Sequence, residues 1–297
     1  MPELVLRGRR RHLCLQWLRP ARCSQLPSDS GNLERPSRRS WFMNDLSSPA
    51  IEFADVHFRI AAGKVLLSDV NLSVHWGETL MLLGRSGSGK TTCLKMINRL
   101  LTPTVGEVRV DRAPVADWDV IKLRRRIGYA IQDVGLFPHY TVRENVALVP
   151  KLERWKPQRI DERVEEVLRL VGLPADEFAG RYPHQLSGGQ RQRVGLARAL
   201  AAEPSILLMD EPFGALDPIS RAELQTEFKN LQQRLGKTIV FVTHDIGEAL
   251  LLGSRIGLME NGRLRGVYTP NEFLQSTDPS VKAYVDVFRA GQQMLRN

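Results

Sequence analysis

The stretch Gly84-Arg85-Ser86-Gly87-Ser88-Gly89-Lys90-Thr91 satisfies the pattern G-x-x-x-x-G-K-[ST] in full. Its setting is as informative as the pattern. Thr79-Leu80-Met81-Leu82-Leu83 precedes it as a run of strand length, and Leu94, Ile97 and Leu101 follow at helical spacing. Strand, glycine loop and helix together make a phosphate cradle. The glycines let successive backbone N–H groups converge on phosphate oxygens, and the helix N-terminus adds its positive dipole. Lys90 places a cation on the β- and γ-phosphates, and Thr91 offers a hydroxyl to Mg²⁺. Thr92 extends the candidate phosphate-binding set into the helix. A Gly/Ser-rich turn without a ligand is the competing reading, and the flanking strand and helix weigh against it.

Composition bounds what surrounds this loop. The 297 residues suffice for one large or two modest domains. No apolar run approaches the roughly 20 residues of a spanning helix, so a role at a membrane has to come through a partner. The net charge of +9 looks like a nucleic-acid signal until it is mapped. Residues 1–42 hold nine Arg, no Lys and three acids, which leaves 33 basic against 30 acidic residues for the rest. That near balance argues against a nucleic-acid partner. Cys14, Cys23 and Cys93 form neither a disulfide framework nor a metal-ligand spacing, and fit a reducing cytosol.

Residues 1–47 are rich in Arg, Ser and Pro without sustained periodicity, and read as a disordered extension. An Arg-rich, acid-poor start also fits an organelle transit peptide, but Met43-Asn44-Asp45 begins a stretch that leads straight into the first strand, and an over-called upstream start codon is the simpler expectation. From Ile51 to Val74 the pattern is of strands, with Val70, Leu72 and Val74 alternating and Ala62-Gly63-Lys64 as a turn. Gly106 to Asp111 reads as a further strand, and Leu123 to Ile131 leads to Gln132. Thr141-Val142-Arg143-Glu144 is a capping box opening a largely helical region, in which Ile160, Val164, Val167, Leu168 and Val171 form one apolar stripe. Leu186-Ser187-Gly188-Gly189-Gln190 precedes a helix expected to run through Ala202. Ile206 to Met209 is an apolar run ending in Asp210-Glu211, which delivers two carboxylates to the edge of an α/β sheet where ligands bind. Leu224, Phe228, Leu231 and Leu235 make the next helical stripe, and Thr238 to Val242 a strand with Thr243-His244-Asp245 at its end. Asn261-Gly262 signals a hairpin, and Thr269-Pro270-Asn271-Glu272 starts a helix, the chain ending about two short helices later.

Phosphate-binding, acidic and histidine groups thus converge at strand ends, and the Leu-Ser-Gly-Gly-Gln stretch makes the pattern specific. Residues 50 to about 275 resemble the ATP-binding subunit of an ABC transporter. The resemblance implies an α/β fold, the ABC-type nucleotide-binding domain of the P-loop NTPases, with a mixed β core and a helical subdomain at about residues 135–195. On that reading the ATPase domain spans 48–290, followed by a tail over 291–297. Gly84 to Thr91 match the Walker A loop, Gln132 the Q-loop glutamine, Leu186 to Gln190 the signature, and Ile206 to Asp210 the Walker B strand. Glu211 matches the catalytic glutamate, Ala215-Leu216-Asp217 the D-loop, and His244 the switch histidine.

The implied cofactors are ATP and Mg²⁺. Asp210 and Thr91 would hold the ion, with Gln132 touching it or orienting water. Glu211 would polarise the attacking water, and His244 would donate to the γ-phosphate. Adjacent carboxylates near a divalent ion stay ionised because the cation offsets their repulsion. Ser187, Gly188, Gly189 and Gln190 open a helix and make a second anion cradle, which in this family caps the ATP of a partner copy. A homodimer is therefore implied, together with transmembrane permease subunits and an extracytoplasmic substrate-binding protein, at the cytoplasmic face of the inner membrane. The base is another matter. The family's adenine-stacking aromatic is expected near residue 60, where this sequence has Ile60, with Phe58 two residues earlier.

Simpler roles compete at several positions. A lone histidine such as His244 is more often structural. Asp217 also suits a helix cap before Pro218, while Phe53 and Phe58 suit a core, and His139, His184 and Trp118 only packing or surface. Gln132 to His139, Lys95 to Leu100, Leu148 to Leu152 and Phe213 to Pro218 resemble the subgroup that imports quaternary-amine osmoprotectants such as glycine betaine, choline and carnitine. Many of that subgroup continue into tandem CBS modules, which this sequence does not contain. An importer of another solute, a non-transport ABC ATPase and a regulatory nucleotide binder are the alternatives. A non-transport ATPase calls for a coiled-coil insertion or a second nucleotide domain, and a regulatory binder fits poorly with Glu211 and His244 both present.

Overall fold

A computed structural model describes residues 48–294 apart from Ala62, Asp133 and Ala215. The extension expected over 1–47 and the end of the expected tail, 295–297, lie outside the described residues, as does Ala62 of the expected turn.

Strands Pro49–Arg59 (β1) and Val65–His75 (β2) pair antiparallel, and Val105–Val110 (β4) and Ala113–Pro114 (β5) complete a four-stranded sheet in the order β2-β1-β4-β5. The second sheet is built from Thr79–Leu83 (β3), Ile127–Ala130 (β6), Ile206–Asp210 (β7), Thr238–Thr243 (β8), Arg255–Glu260 (β9) and Arg263–Tyr268 (β10). Its order is β10-β9-β3-β8-β7-β6, parallel throughout except for the β9–β10 hairpin. The mixed β core expected from the sequence is therefore present.

Every residue of β3, β7 and β8 is buried, as parallel strands covered on both faces must be. Their alternation splits the interior in two. Met81, Leu83, Leu207, Met209, Ile239 and Phe241 face one core with the helices, whereas Leu80, Leu82, Leu208, Val240 and Val242 face another shared with β1 and β2. The helices of the first core include Val142–Leu152 (α3), Pro157–Leu170 (α4), Ala175–Phe178 (α5) and Gly188–Leu200 (α6). Thr141 opens α3 through a reciprocal capping box with Glu144, and Ile160, Val164, Val167 and Leu168 are the buried stripe of α4. These four helices cover the stretch read as a helical subdomain.

Four details differ from the sequence reading. The helix after the phosphate loop, Lys90–Ile97 (α1), stops before Leu101, because Arg99 is left-handed at φ 53° and the chain turns. Helix α6 ends at Leu200, short of Ala202. Val120–Arg126 (α2) is an additional helix that Asp119 caps. Helix Pro218–Leu235 (α7) buries Leu224, Phe228 and Leu231, and Ile246–Leu252 (α8) follows β8. Pro270–Gln275 (α9) is short, but Pro279–Met294 (α10) is long, anchored by Val281 and Val285, and continues past residue 290.

Candidate active site

The phosphate loop leaves β3 at Gly84, where a Cβ would stand 2.3 Å from the Met259 carbonyl oxygen. No other residue type fits that close approach. Gly89 is left-handed at φ 103°, with a hypothetical Cβ 2.5 Å from Leu67 Cδ2. Lys90 is only 4 % exposed, and its Nζ donates to the carbonyls of Gly84 at 2.7 Å and Arg85 at 2.9 Å. The ammonium thus rests under the loop that it would leave to meet phosphates. Burial lowers its pKa, against the pull of Glu211 and Asp210 in the other direction.

β7 is adjacent to β8 and β6, and brings Asp210 to the same edge. Asp210 is 5 % exposed, and its Oδ1 accepts from Thr91 Oγ1 at 2.8 Å. Burial raises its pKa, while the hydrogen bonds from Thr91 and Tyr129 oppose the rise. The fit to Mg²⁺ and a nucleotide is carried by these groups. The hydroxyl and carboxylate that would share an ion lie in mutual contact, a buried lysine stands one residue away, and the buried Ser88 Oγ has no hydrogen-bond partner. These are hard oxygen donors, the type that Mg²⁺ takes together with substrate phosphates.

Glu211 follows with φ 45°, a left-handed conformation uncommon for a residue with a side chain. Its N–H donates to the Val242 carbonyl at 3.0 Å and its own carbonyl accepts from Gly214 N at 3.1 Å, which fixes the turn. Its Oε2 lies 3.1 Å from His244 Nδ1, so with a proton on Nδ1 the imidazole donates to the carboxylate. The histidine side chain is 57 % exposed and the glutamate 18 %. Thus Lys90, Thr91, Asp210, Glu211 and His244 occupy neighbouring ends of β3, β7 and β8.

The remaining candidates stand elsewhere or at the margin. Gln132 is exposed just after β6, whose Ala130 pairs with Met209 immediately before Asp210. Asp133 and Ala215, beside Gln132 and Asp217 in the expected motifs, lie outside the described residues. Ser187 caps α6 in a reciprocal box with Gln190, at 3.2 and 2.9 Å. Among the described residues, no hydrogen bond or ion pair joins Ser187 to Gln190 with the phosphate loop. Instead Gly189 lies beside Leu216, next to the cap residue Asp217, which accepts from the N–H groups of Ile219 and Ser220. The capping role of Asp217 is therefore present.

At the base end, Phe53 is core, Phe58 is half-buried against the β1–β2 core, and Ile60 is 38 % exposed beyond the end of β1. Phe58 pairs with Leu67, the same leucine that abuts Gly89, so this end of β1 adjoins the phosphate loop. Two further residues escaped the sequence reading. Tyr129 Oη stands 3.4 Å from Asp210 Oδ2, and Glu248 sits buried behind the His244 loop.

A family model described as ABC transporter matches residues 67–214. The chain is 48% identical over 258 residues to the carnitine transport ATP-binding protein OpuCA of Listeria monocytogenes, covering 83% of this chain and 65% of that protein. It is 51% identical over 224 residues to the choline transport ATP-binding protein OpuBA of Bacillus subtilis, covering 75% and 58%. It is 52% identical over 214 residues to the glycine betaine uptake system ATP-binding protein YehX of Escherichia coli, covering 72% and 69%. The chain therefore spans somewhat under two thirds of the length of OpuCA and OpuBA. Among solved structures, the dimeric post-hydrolysis state of the ATP-binding cassette MJ0796 bound to ADP and Pi is similar at a TM-score of 0.67 and 36% identity, covering 74% of this chain and 98% of that one.

Proposed function

Because the chain belongs to the ABC transporter family, we propose that it is the ATP-hydrolysing subunit of a binding-protein-dependent importer of quaternary-amine osmoprotectants, such as glycine betaine, choline or carnitine. The observation that carries the hydrolytic part is the meeting at one sheet edge of the Thr91–Asp210 and Glu211–His244 pairs. Lys90, freed from the Gly84 and Arg85 carbonyls, binds the β- and γ-phosphates of ATP, and the glycine-loop N–H groups hold the same oxygens. Thr91 and Asp210 would hold Mg²⁺, and Gln132 would touch the ion or orient water. Bound Mg²⁺ offsets the charge that develops on the transferred phosphoryl group. Glu211 orients and polarises the attacking water, and His244 holds the carboxylate in place and donates towards the γ-phosphate.

The signature cradle of Ser187 to Gln190, with no hydrogen bond or ion pair to its own phosphate loop among the described residues, serves the ATP of a second copy. Phe58 or Ile60 meets the adenine. Among the described residues no helix is long and apolar enough to cross a membrane. The subunit works peripherally, at the cytoplasmic face of the inner membrane, against permease subunits that an extracytoplasmic binding protein supplies with cargo. The relatives support the cargo class, since no residue here would touch cargo.

Cells lacking this subunit and any redundant importer should fail to accumulate labelled glycine betaine, choline and carnitine under hyperosmotic stress, and the unmodified chain should restore uptake. Normal accumulation of all three would reject the cargo. ATPase activity raised by nucleic acid rather than by permease-containing membranes would reject transport.

A further inference from the structure

Glu248 is a buried carboxylate that the hydrolysis scheme leaves unused. It lies in the first turn of α8 and is 5 % exposed. Its Oε2 accepts from Thr243 Oγ1 at 2.5 Å, and its Oε1 accepts from Gln225 Nε2 at 3.0 Å. The Thr243 hydroxyl also accepts from the backbone N–H of Asp245 at 2.9 Å, and the Asp245 carboxylate caps α8 through Gly247 N and Glu248 N. His244 is therefore flanked on both sides by residues tied to a single hydroxyl, and that hydroxyl is fixed by Glu248. Gln225 lies on α7, about two turns beyond the Asp217 that caps it.

Burial raises the carboxyl pKa of Glu248, opposed by the Thr243 hydroxyl, the Gln225 amide and the nearby Arg221 charge. A carboxylate kept in such a place is costly unless its partners hold it, and an apolar side chain would cost less. What the polar group adds is direction. It has one acceptor oxygen towards the strand end that bears His244 and the other towards α7.

We propose that Glu248 is a positioning residue that holds the His244 loop in register with α7, so that the histidine and the Asp217 turn respond as one body. The inference rests on the hydrolysis reading above. It concerns His244 through its loop, with no contact between Glu248 and the reacting atoms.

The test compares purified full-length chain with Glu248→Ala, Glu248→Gln, His244→Ala and the Glu248→Ala/His244→Ala pair, assayed for kcat and for KM of ATP. Glu248→Ala should lower kcat on the order of 10²-fold, the loss that an ångström-scale misplacement produces, with KM unchanged. Glu248→Gln keeps an acceptor for Thr243 and, with the Gln225 amide turned over, a partner there too; it should recover most of kcat. The double variant should lose no more than His244→Ala alone, since both changes act at one group. Multiplying losses in the double variant, or an unchanged kcat for Glu248→Ala, would overturn the proposal. Should Glu248→Ala fail to fold by circular dichroism, Thr243→Val breaks the same link at nearly constant volume and Thr243→Ser restores it, with the same outcomes deciding. Glu211→Gln, run alongside, separates the two ideas. If it hydrolyses ATP at the unmodified rate, the hydrolysis reading falls; if it is inactive while Glu248→Ala is fully active, only the positioning role falls.

Discussion

Thr91 on α1 and Asp210 at the end of β7 are joined by a 2.8 Å hydrogen bond across 119 positions of sequence, hydroxyl to carboxylate. The bond spans the two elements that would share a metal ion. Replacing Thr91 by Val removes the donor, leaves Asp210 buried with a weaker set of partners, and takes away an ion ligand. MgATP affinity should fall by roughly 10-fold or more, as losses around a metal site do, whereas ATP affinity in EDTA should change far less. Fluorescent-nucleotide titration with and without Mg²⁺ measures both.

The same carboxylate predicts a pH dependence. Burial raises the Asp210 pKa, so the folded protein holds this proton to higher pH than the unfolded chain does. Its contribution to stability is therefore complete below the usual carboxylate range and is lost as pH rises through the raised value. Asp210→Asn removes that loss. In metal-free buffer the variant should melt higher than the unmodified protein at neutral pH, by on the order of 3 °C. The difference should shrink on acidification towards the usual carboxylate range. Differential scanning calorimetry at two pH values tests it, and a variant that melts lower at neutral pH would contradict it.

Removing the carboxylate at Glu211 without changing its size should leave ATP binding intact and stop water attack, because the lost interaction acts in the transition state. Glu211→Gln should lose at least about 10²-fold in kcat and accumulate as an ATP-bound dimer on size-exclusion chromatography. Lys90→Ala should lose phosphate binding and stay monomeric. Ser187→Arg should bind ATP and still fail to pair.

Phe58 and Ile60 make separable predictions at the base. Phe58 is half-buried against the core, so Phe58→Ala should lower the melting temperature whatever it does to nucleotide. Ile60 is exposed beyond the end of β1, and Ile60→Tyr should add a stacking face, worth roughly 1 kcal/mol or about fivefold in ATP affinity. Unchanged affinity in Phe58→Ala would exclude stacking by that ring.

Gly84→Ala should unfold or severely weaken the domain. The added methyl would stand 2.3 Å from a backbone carbonyl, where no side-chain rotation gives relief. A cost of about 3 kcal/mol or more follows from overpacking against a fixed main chain, read as a drop in the urea midpoint.

The local patterns were legible in sequence because their physics is local. The capping boxes at Thr141 and Thr269, the helix that opens after Ser187 and the apolar runs ending at Leu83, Asp210 and Thr243 are present as the sequence implied. Helix α2 was not legible, since it buries only Leu123 and ends in three arginines. Among those, Arg124 instead donates to the carbonyls of Asn98 and Arg99, where the chain leaves α1. Tyr129 near Asp210 was equally hidden. Its reach follows from the pairing of Tyr129 with Leu208, which puts Tyr129 and Asp210 on one face two residues apart along β7. Glu248 reads in sequence as one more polar position on a short helix, and only the approach of Gln225 reveals its second partner.

Among the described residues the Ser187 to Gln190 cradle shares no hydrogen bond or ion pair with the phosphate loop of its own chain, and from its service to a second copy follows the arithmetic of mixed pairs. If each site takes its loop from one copy and its cap from the other, two different inactive copies fail unequally. A Lys90→Ala copy joined to a Ser187→Arg copy has one site with both injuries and one with neither, since the sound loop of the second copy faces the sound cap of the first. Two batches, each silent alone, should therefore regain ATP turnover on mixing, whereas two defects on the same chain, mixed with unmodified protein, should leave every mixed pair with one injury at each site.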